Sequence, residues 1–239
     1  MELFFSPELI ITFLTLSFLE IILGIDNLVF IAIVVSNLPQ SYRNKARYIG
    51  IGLALIMRVI MLFALSWVIS MTDPLFTIFE VGFSFKNLLL IAGGIFLMIK
   101  SGVEIYGDVK HVKKDDSSKK IIVKATFSAA IAQIVAVDFV FSFDSIITAV
   151  GMTTNIPVIV AAVFVAMLLM LFASDKISKM LSKYPSLKIV ALAFIFMIGA
   201  ILLADGLHIE ISKGYLYFSL FFAMAVEYLN ILAGKKSHG

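Results

Sequence analysis

The 239-residue chain has no cysteine, five prolines and one tryptophan, and only 15% of its residues are charged. Without cysteine, a disulfide-stapled scaffold and a thiolate metal site are both excluded. Soluble domains carry about 25% charged and about 45–50% apolar residues. With 61% hydrophobic residues, this chain is neither a soluble enzyme nor a disordered one. The alternating strands of about ten residues that build an outer-membrane barrel are also missing. What is present is a series of long apolar runs joined by short polar stretches, the pattern of an all-α polytopic membrane protein.

Seven runs are expected to be membrane helices, at residues 9–37, 48–71, 87–106, 121–150, 156–173, 187–204 and 214–233. Residues 1–7 lack the basic flank and the cleavage site of a signal peptide, so the first run is expected to be a retained span. Lys and Arg are unevenly shared between the joints. Fifteen of the 19 fall on one side, among them Arg43, Lys45 and Arg47, six lysines from Lys110 to Lys124, and Lys176, Lys179, Lys183 and Lys188. Only Lys86 and Lys213 fall on the other side. The positive-inside rule then puts the amino terminus outside and the carboxyl terminus in the cytoplasm. The net charge of +3 does not point to nucleic acid, because the lysine-rich joint has no interleaved aromatic residues on which bases would stack.

Two segments share a pattern. Glu20-Ile-Ile-Leu-Gly-Ile-Asp26-Asn27 and Asp138-Phe-Val-Phe-Ser-Phe-Asp144-Ser145 each hold an acid, five residues, an Asp and a small polar side chain, 118 positions apart. At about the same distance Arg58 corresponds to Lys176. Two three-helix repeats plus one extra helix make seven, and an odd number of helices per repeat inverts the second repeat relative to the first. The expected organisation is a first repeat at 1–106, a basic cytoplasmic loop at 107–120, a second repeat at 121–207, and a seventh helix with a basic tail at 208–239.

A charged residue at the centre of a span costs about 2.5–3.5 kcal/mol to insert, so four acids together cost on the order of 10 kcal/mol. Such residues persist where they pair, line a cavity or bind an ion. Arg58 and Lys100 cannot balance all four, and Arg58 is expected to be a counter-ion or gate residue. Positions six apart on an unbroken helix are about 120° apart around it, so Glu20 and Asp26 would not share a face. A break at Gly24, and another at its counterpart Ser142, would bring each pair together and free backbone carbonyls as ligands. The expected donors are Glu20, Asp26, Asn27, Asp138, Asp144 and Ser145, all hard oxygens suited to Mn, Mg or Ca. The three histidines, His111, His208 and His238, are scattered; His208, beside Asp205 and Glu210, is expected at an outer vestibule or on the surface. Lys100 with Glu104, and Asp175 with Lys176, are expected to be interfacial pairs. Gly93, Gly94, Gly50 and Gly52 are expected to allow close helix packing. Glu227 and Asn230 either join the cavity or hydrogen-bond a neighbouring helix.

The segments EIILGIDN, LFTIFE, VDFVFSFDSIITAVG and KGYLYF resemble the TerC family of bacterial integral membrane proteins, associated with tellurium resistance and manganese handling. The likeness covers nearly the whole chain and is closest to small members without cytosolic domains. It implies a multi-pass protein of the bacterial cytoplasmic membrane with two related halves, exporting Mn²⁺ for detoxification or to supply exported enzymes. Ser212 departs from the family pattern, where Pro often precedes KGY, and Tyr106 stands where His is frequent.

The expected function is therefore divalent-cation transport, with Mn²⁺ as the substrate, the lipid bilayer as surroundings and protons as the coupling ion. Two other classes remain open. One is a membrane scaffold, a homo-oligomer or a partner of secretion or metalation machinery, holding a structural ion. The other is an intramembrane aspartyl protease using Asp26 and Asp144, although the chain lacks the Tyr-Asp and Gly-x-Gly-Asp pairing expected of one. A zinc protease is excluded by the absence of His-Glu-x-x-His.

Overall fold

The computed structural model describes residues 7–64, 72–78, 81–110, 119–209 and 211–236. The expectations for residues 1–6, Glu80, most of the basic loop, His111, Glu210 and His238 lie outside the described residues. Among the described residues eight helices and one hairpin follow in order: α1 (Pro7–Leu23), α2 (Ile25–Ser36), α3 (Gln40–Phe63), β1 (Pro74–Ile78), β2 (Val81–Ser84), α4 (Phe85–Val109), α5 (Lys119–Met152), α6 (Ile156–Lys183), α7 (Pro185–Gly206) and α8 (Lys213–Lys236). The two strands pair antiparallel, with Thr77 opposite Gly82 and the Phe76 and Phe83 rings stacked.

This is an all-α polytopic membrane fold. Helices α3, α4, α6 and α7, and α5 from Thr126, are each long and apolar enough to cross a membrane. A sixth span is formed by α1 and α2 together, bent by 45° at Gly24. The count is therefore five or six by length and composition among the described residues, against the seven expected.

Packing divides the chain into two units that cut across the sequence halves. The first holds α1 to α3, the hairpin to Lys86, α5 and α6 to Ser178. Within it α5 lies along α3 and against α1 and α2. Residues Phe30 to Val35 of α2 are all buried, so that short helix is enclosed on every side. On α3 the buried positions are Ala46, Arg47, Gly50, Ile51, Ala54, Arg58, Met61 and Leu62. Their spacing of three and four is one helical face, and it carries both arginines inward.

The second unit holds α4 from Asn87, α7 and α8. Gly94 and Gly199 bring α4 and α7 into backbone contact: a Cβ on Gly94 would lie 2.6 Å from the Gly199 carbonyl oxygen. Gly50 does the same for the Ile134 side chain, whereas Gly52 faces open space, so close packing needs Gly50 and not Gly52. Lys188 bridges Asp108 at 2.8 Å and Glu104 at 3.4 Å, so α7 supplies a partner to Glu104. His208 ends α7 in the left-handed region, φ 61°. The Ile209 N–H donates to the Ala204 carbonyl and the His208 N–H to Asp205, the hydrogen bonds of a Schellman cap. The exposed His208 is thus a helix-ending surface residue.

Candidate functional site

The bend at Gly24 decides the fate of the first acidic pair. Gly24 precedes α2 with no side-chain cap, yet its N–H donates to the Glu20 carbonyl and its own carbonyl accepts from Leu28, so the hydrogen-bond ladder bends without losing these bonds. The Met170 methyl group packs into the space a Cβ would need. With the chain turned here, Glu20 (3% exposed) and Asp26 (6%) are both buried. Asp26 sits in the first turn of α2, where the helix macrodipole favours negative charge.

The second pair behaves differently, because α5 runs unbroken from Lys119 to Met152. The break expected at Ser142 is absent. A serine keeps its backbone N–H and has a Cβ, so the helical ladder continues through it, and Asp144 stays about 120° around the helix from Asp138. Asp138 is buried at 3%, while the Asp144 side chain is 46% exposed and accepts from Lys86 Nζ at 3.3 Å. Ser142 does not satisfy freed backbone groups. Its hydroxyl donates to Asp138 Oδ2 at 3.0 Å and accepts from Arg58 Nε at 2.9 Å.

Arg58 is the hub. Its Nη1 donates to Glu20 Oε2 at 2.6 Å and its Nη2 to Asp138 Oδ1 at 3.0 Å. Asn27 Nδ2 also donates to Asp138 Oδ1 at 3.0 Å. Four helices thus meet through α1 Glu20, α2 Asn27, α3 Arg58 and α5 Asp138. Buried ions persist only when paired and hydrogen-bonded in this way. Ser145 is buried one turn beyond Ser142, and its hydroxyl donates to the Ser142 carbonyl at 3.2 Å. Asn27 Oδ1 and Ser17 Oγ are buried with no hydrogen-bond partner in the structure.

Of the six expected ligands, then, Glu20, Asn27 and Asp138 meet at Arg58, while Asp26 and Ser145 are buried beside members of the cluster in the chain. Asp144 faces Lys86. Among the described residues no three acidic or histidine side chains converge as a metal-holding group; the guanidinium stands between Glu20 and Asp138. Two contacts were not foreseen from sequence. Ser142 had a signal, its i+4 spacing from Asp138, whereas Lys86 reaches Asp144 only through the hairpin. Lys176 is exposed and not equivalent to Arg58; its neighbour Asp175 accepts from the buried Arg47 at 2.7 Å. In the second unit Glu227 is half-buried and Asn230 exposed.

Bent and straight membrane helices around a buried arginine–carboxylate cluster define a polytopic membrane protein with an ionic centre. Residues 5–238 match the integral membrane protein TerC family, and the chain belongs to that family. It is 42% identical over 226 residues to a UPF0053 protein of Haemophilus influenzae, covering 95% of this chain and 94% of the relative. It is 40% identical to the inner membrane protein YgdQ of Escherichia coli, covering 93% of this chain and 92% of the relative. It is also 42% identical to the inner membrane protein YoaE of Escherichia coli, covering 98% of this chain but 45% of YoaE, so the chain spans about half of that protein. No solved structure matches the chain.

Proposed function

We propose that the protein is a divalent-cation transporter that exports Mn²⁺ across the cytoplasmic membrane, with the cation passing through the cluster around Glu20, Asp26, Asn27 and Asp138. The observation that carries this reading is the charge balance. Two buried acids, Glu20 and Asp138, share the single buried arginine of the cluster, Arg58. The triad carries a formal excess of one negative charge, which favours a further cation. The other buried arginine, Arg47, is already paired with Asp175 and lies about 16 Å along α3 from Arg58. Asn27 Oδ1, buried and without a donor, adds a hard oxygen of the kind Mn²⁺ accepts.

In this reading the amino terminus lies outside and the carboxyl terminus in the cytoplasm, as the Lys and Arg distribution requires. The two halves form an inverted repeat. Support comes from the packing, since each half contributes its first two spans to one unit and its third to the other. Protons are the counter-ion, and no enzymatic step is involved. Against an aspartyl protease stands the ion pair between Asp144 and Lys86, which takes up the carboxylate that would have to share a proton with Asp26. A scaffold with secretion or metalation partners has one observation in its favour: Arg58 itself pairs both Glu20 and Asp138.

Flux decides between the two. Mn²⁺ uptake into proteoliposomes under an imposed pH gradient should be driven by the native protein and fall at least about tenfold in Glu20→Gln and Asp138→Asn, a loss of roughly 1.4 kcal/mol or more in barrier terms. Asp144→Asn should retain most of the flux. Mn²⁺ binding without flux would favour the scaffold.

A further inference from the structure

The guanidinium of Arg58 occupies the place a bridging cation would take. One Nη faces a carboxylate on α1 and the other a carboxylate on α5, at 2.6 and 3.0 Å, while Nε rests on the Ser142 hydroxyl at 2.9 Å. The side chain is 2% exposed. A buried ion triad contributes little stability beyond that of a well-packed apolar core, so packing alone does not account for it. Its three acceptors come from two helices, and the arginine itself comes from a third. Movement of α3 relative to α1 and α5 would therefore withdraw the guanidinium from both carboxylates together.

We propose that Arg58 is a built-in competitor for the transported cation, holding Glu20 and Asp138 when the cation is absent and displacing it from them during release. The inference rests on the cation-transport reading above. A divalent ion can bridge Glu20 and Asp138 only after the guanidinium has let go of at least one of them. Its apparent affinity is lowered by the fraction of molecules in which that has happened. The same competition speeds emptying, because the returning positive charge repels the ion and re-pairs the carboxylates. A carboxylate site without such a competitor would bind tightly and empty slowly.

The test separates affinity from turnover in the full chain. Mn²⁺ binding to the detergent-solubilised protein is measured by equilibrium dialysis, and Mn²⁺ flux in proteoliposomes, for the native chain, Arg58→Gln and Arg58→Lys. With the released form populated to about one part in ten or less, Arg58→Gln should bind Mn²⁺ about tenfold tighter or more while its flux at saturating Mn²⁺ falls. Arg58→Lys keeps the charge but is a point donor that cannot fork across both carboxylates, so its affinity should lie between the two. A merely structural arginine would give weaker binding and weaker flux together. Should Arg58→Gln not accumulate as folded protein, the lysine variant decides: tighter binding than native supports the competitor, and equal or weaker binding overturns it. Native binding with no tightening in either variant overturns this inference alone. No Mn²⁺ binding by any of the three overturns the transport reading and the inference with it.

Discussion

Asp138 and Asp144 sit six residues apart on α5 in opposite circumstances. The first is buried against Arg58, Asn27 and Ser142, and the second is nearly half exposed beside Lys86. Removing one partner of a buried ion pair leaves the other charge uncompensated, at a cost of about 3–5 kcal/mol, whereas an exposed pair contributes about 0–1 kcal/mol. Asp138→Asn should therefore lower the stability of the micellar protein by about 3 kcal/mol, and Asp144→Asn by less than about 1 kcal/mol. Ser142→Ala strands Arg58 Nε and one Asp138 lone pair and should cost about 1–3 kcal/mol. Denaturant unfolding of the three variants reads the order, and equal losses at Asp138 and Asp144 would contradict it. The acids themselves were legible in the sequence because ionisable residues inside apolar runs stand out. Which of them share a site was not. That depends on whether the chain bends between them, and the same six-residue spacing gives a buried pair across Gly24 and a divided pair across Ser142.

Helices were easier to read than their ends. Each of the seven apolar runs holds helix among the described residues, yet α3 starts at Gln40, eight residues before its run, and α6 continues ten residues beyond its own to Lys183. Hydropathy registers the part of a helix that suits lipid. The backbone ladder continues wherever residues such as Gln40–Arg47 tolerate it, with Pro39 at the cap fixing the start of α3. The hairpin at Pro74–Ser84 was not anticipated, since its pairing lies in the backbone and its apolar residues do not form a long run. Glycine shows the same limit. The sequence marks small residues without saying which face a neighbour. At Gly94 and Gly199 a Cβ would meet backbone atoms of the opposing helix at 2.6–2.7 Å, and backbone cannot move aside as a side-chain tip can. Gly94→Ala and Gly199→Ala should each destabilise by about 1–3 kcal/mol or more. Gly52→Ala, facing open space, should be neutral or stabilise by up to about 1 kcal/mol through helix propensity. Thermal unfolding in one detergent compares the three. A loss at Gly52 equal to that at Gly94 would mean that close packing is not what these glycines provide.

Across the whole molecule, parity of the span count fixes where the chain ends. Six spans return the carboxyl terminus to the side of the amino terminus, and seven put it on the opposite side. Among the described residues the helices long and apolar enough to span number five or six, and α8 carries Glu227, Asn230 and a Lys at each end. The charge distribution argues for seven, since Lys235 and Lys236 would then join the other basic joints on the cytoplasmic side, leaving only Lys86 and Lys213 outside. With α8 on the outer surface the balance would be thirteen to four instead of fifteen to two, which the positive-inside rule disfavours. The chain has no native cysteine, so single cysteines report their side without background. With a membrane-impermeant maleimide on intact spheroplasts, Thr154→Cys and Gly214→Cys should label at once. Lys45→Cys and Lys236→Cys should label only after lysis. Labelling of both Gly214→Cys and Lys236→Cys from outside, with Lys45→Cys still protected, would make α8 a surface helix and reduce the protein to six spans. The amino terminus would keep its expected side, and the carboxyl terminus would move to the outer face.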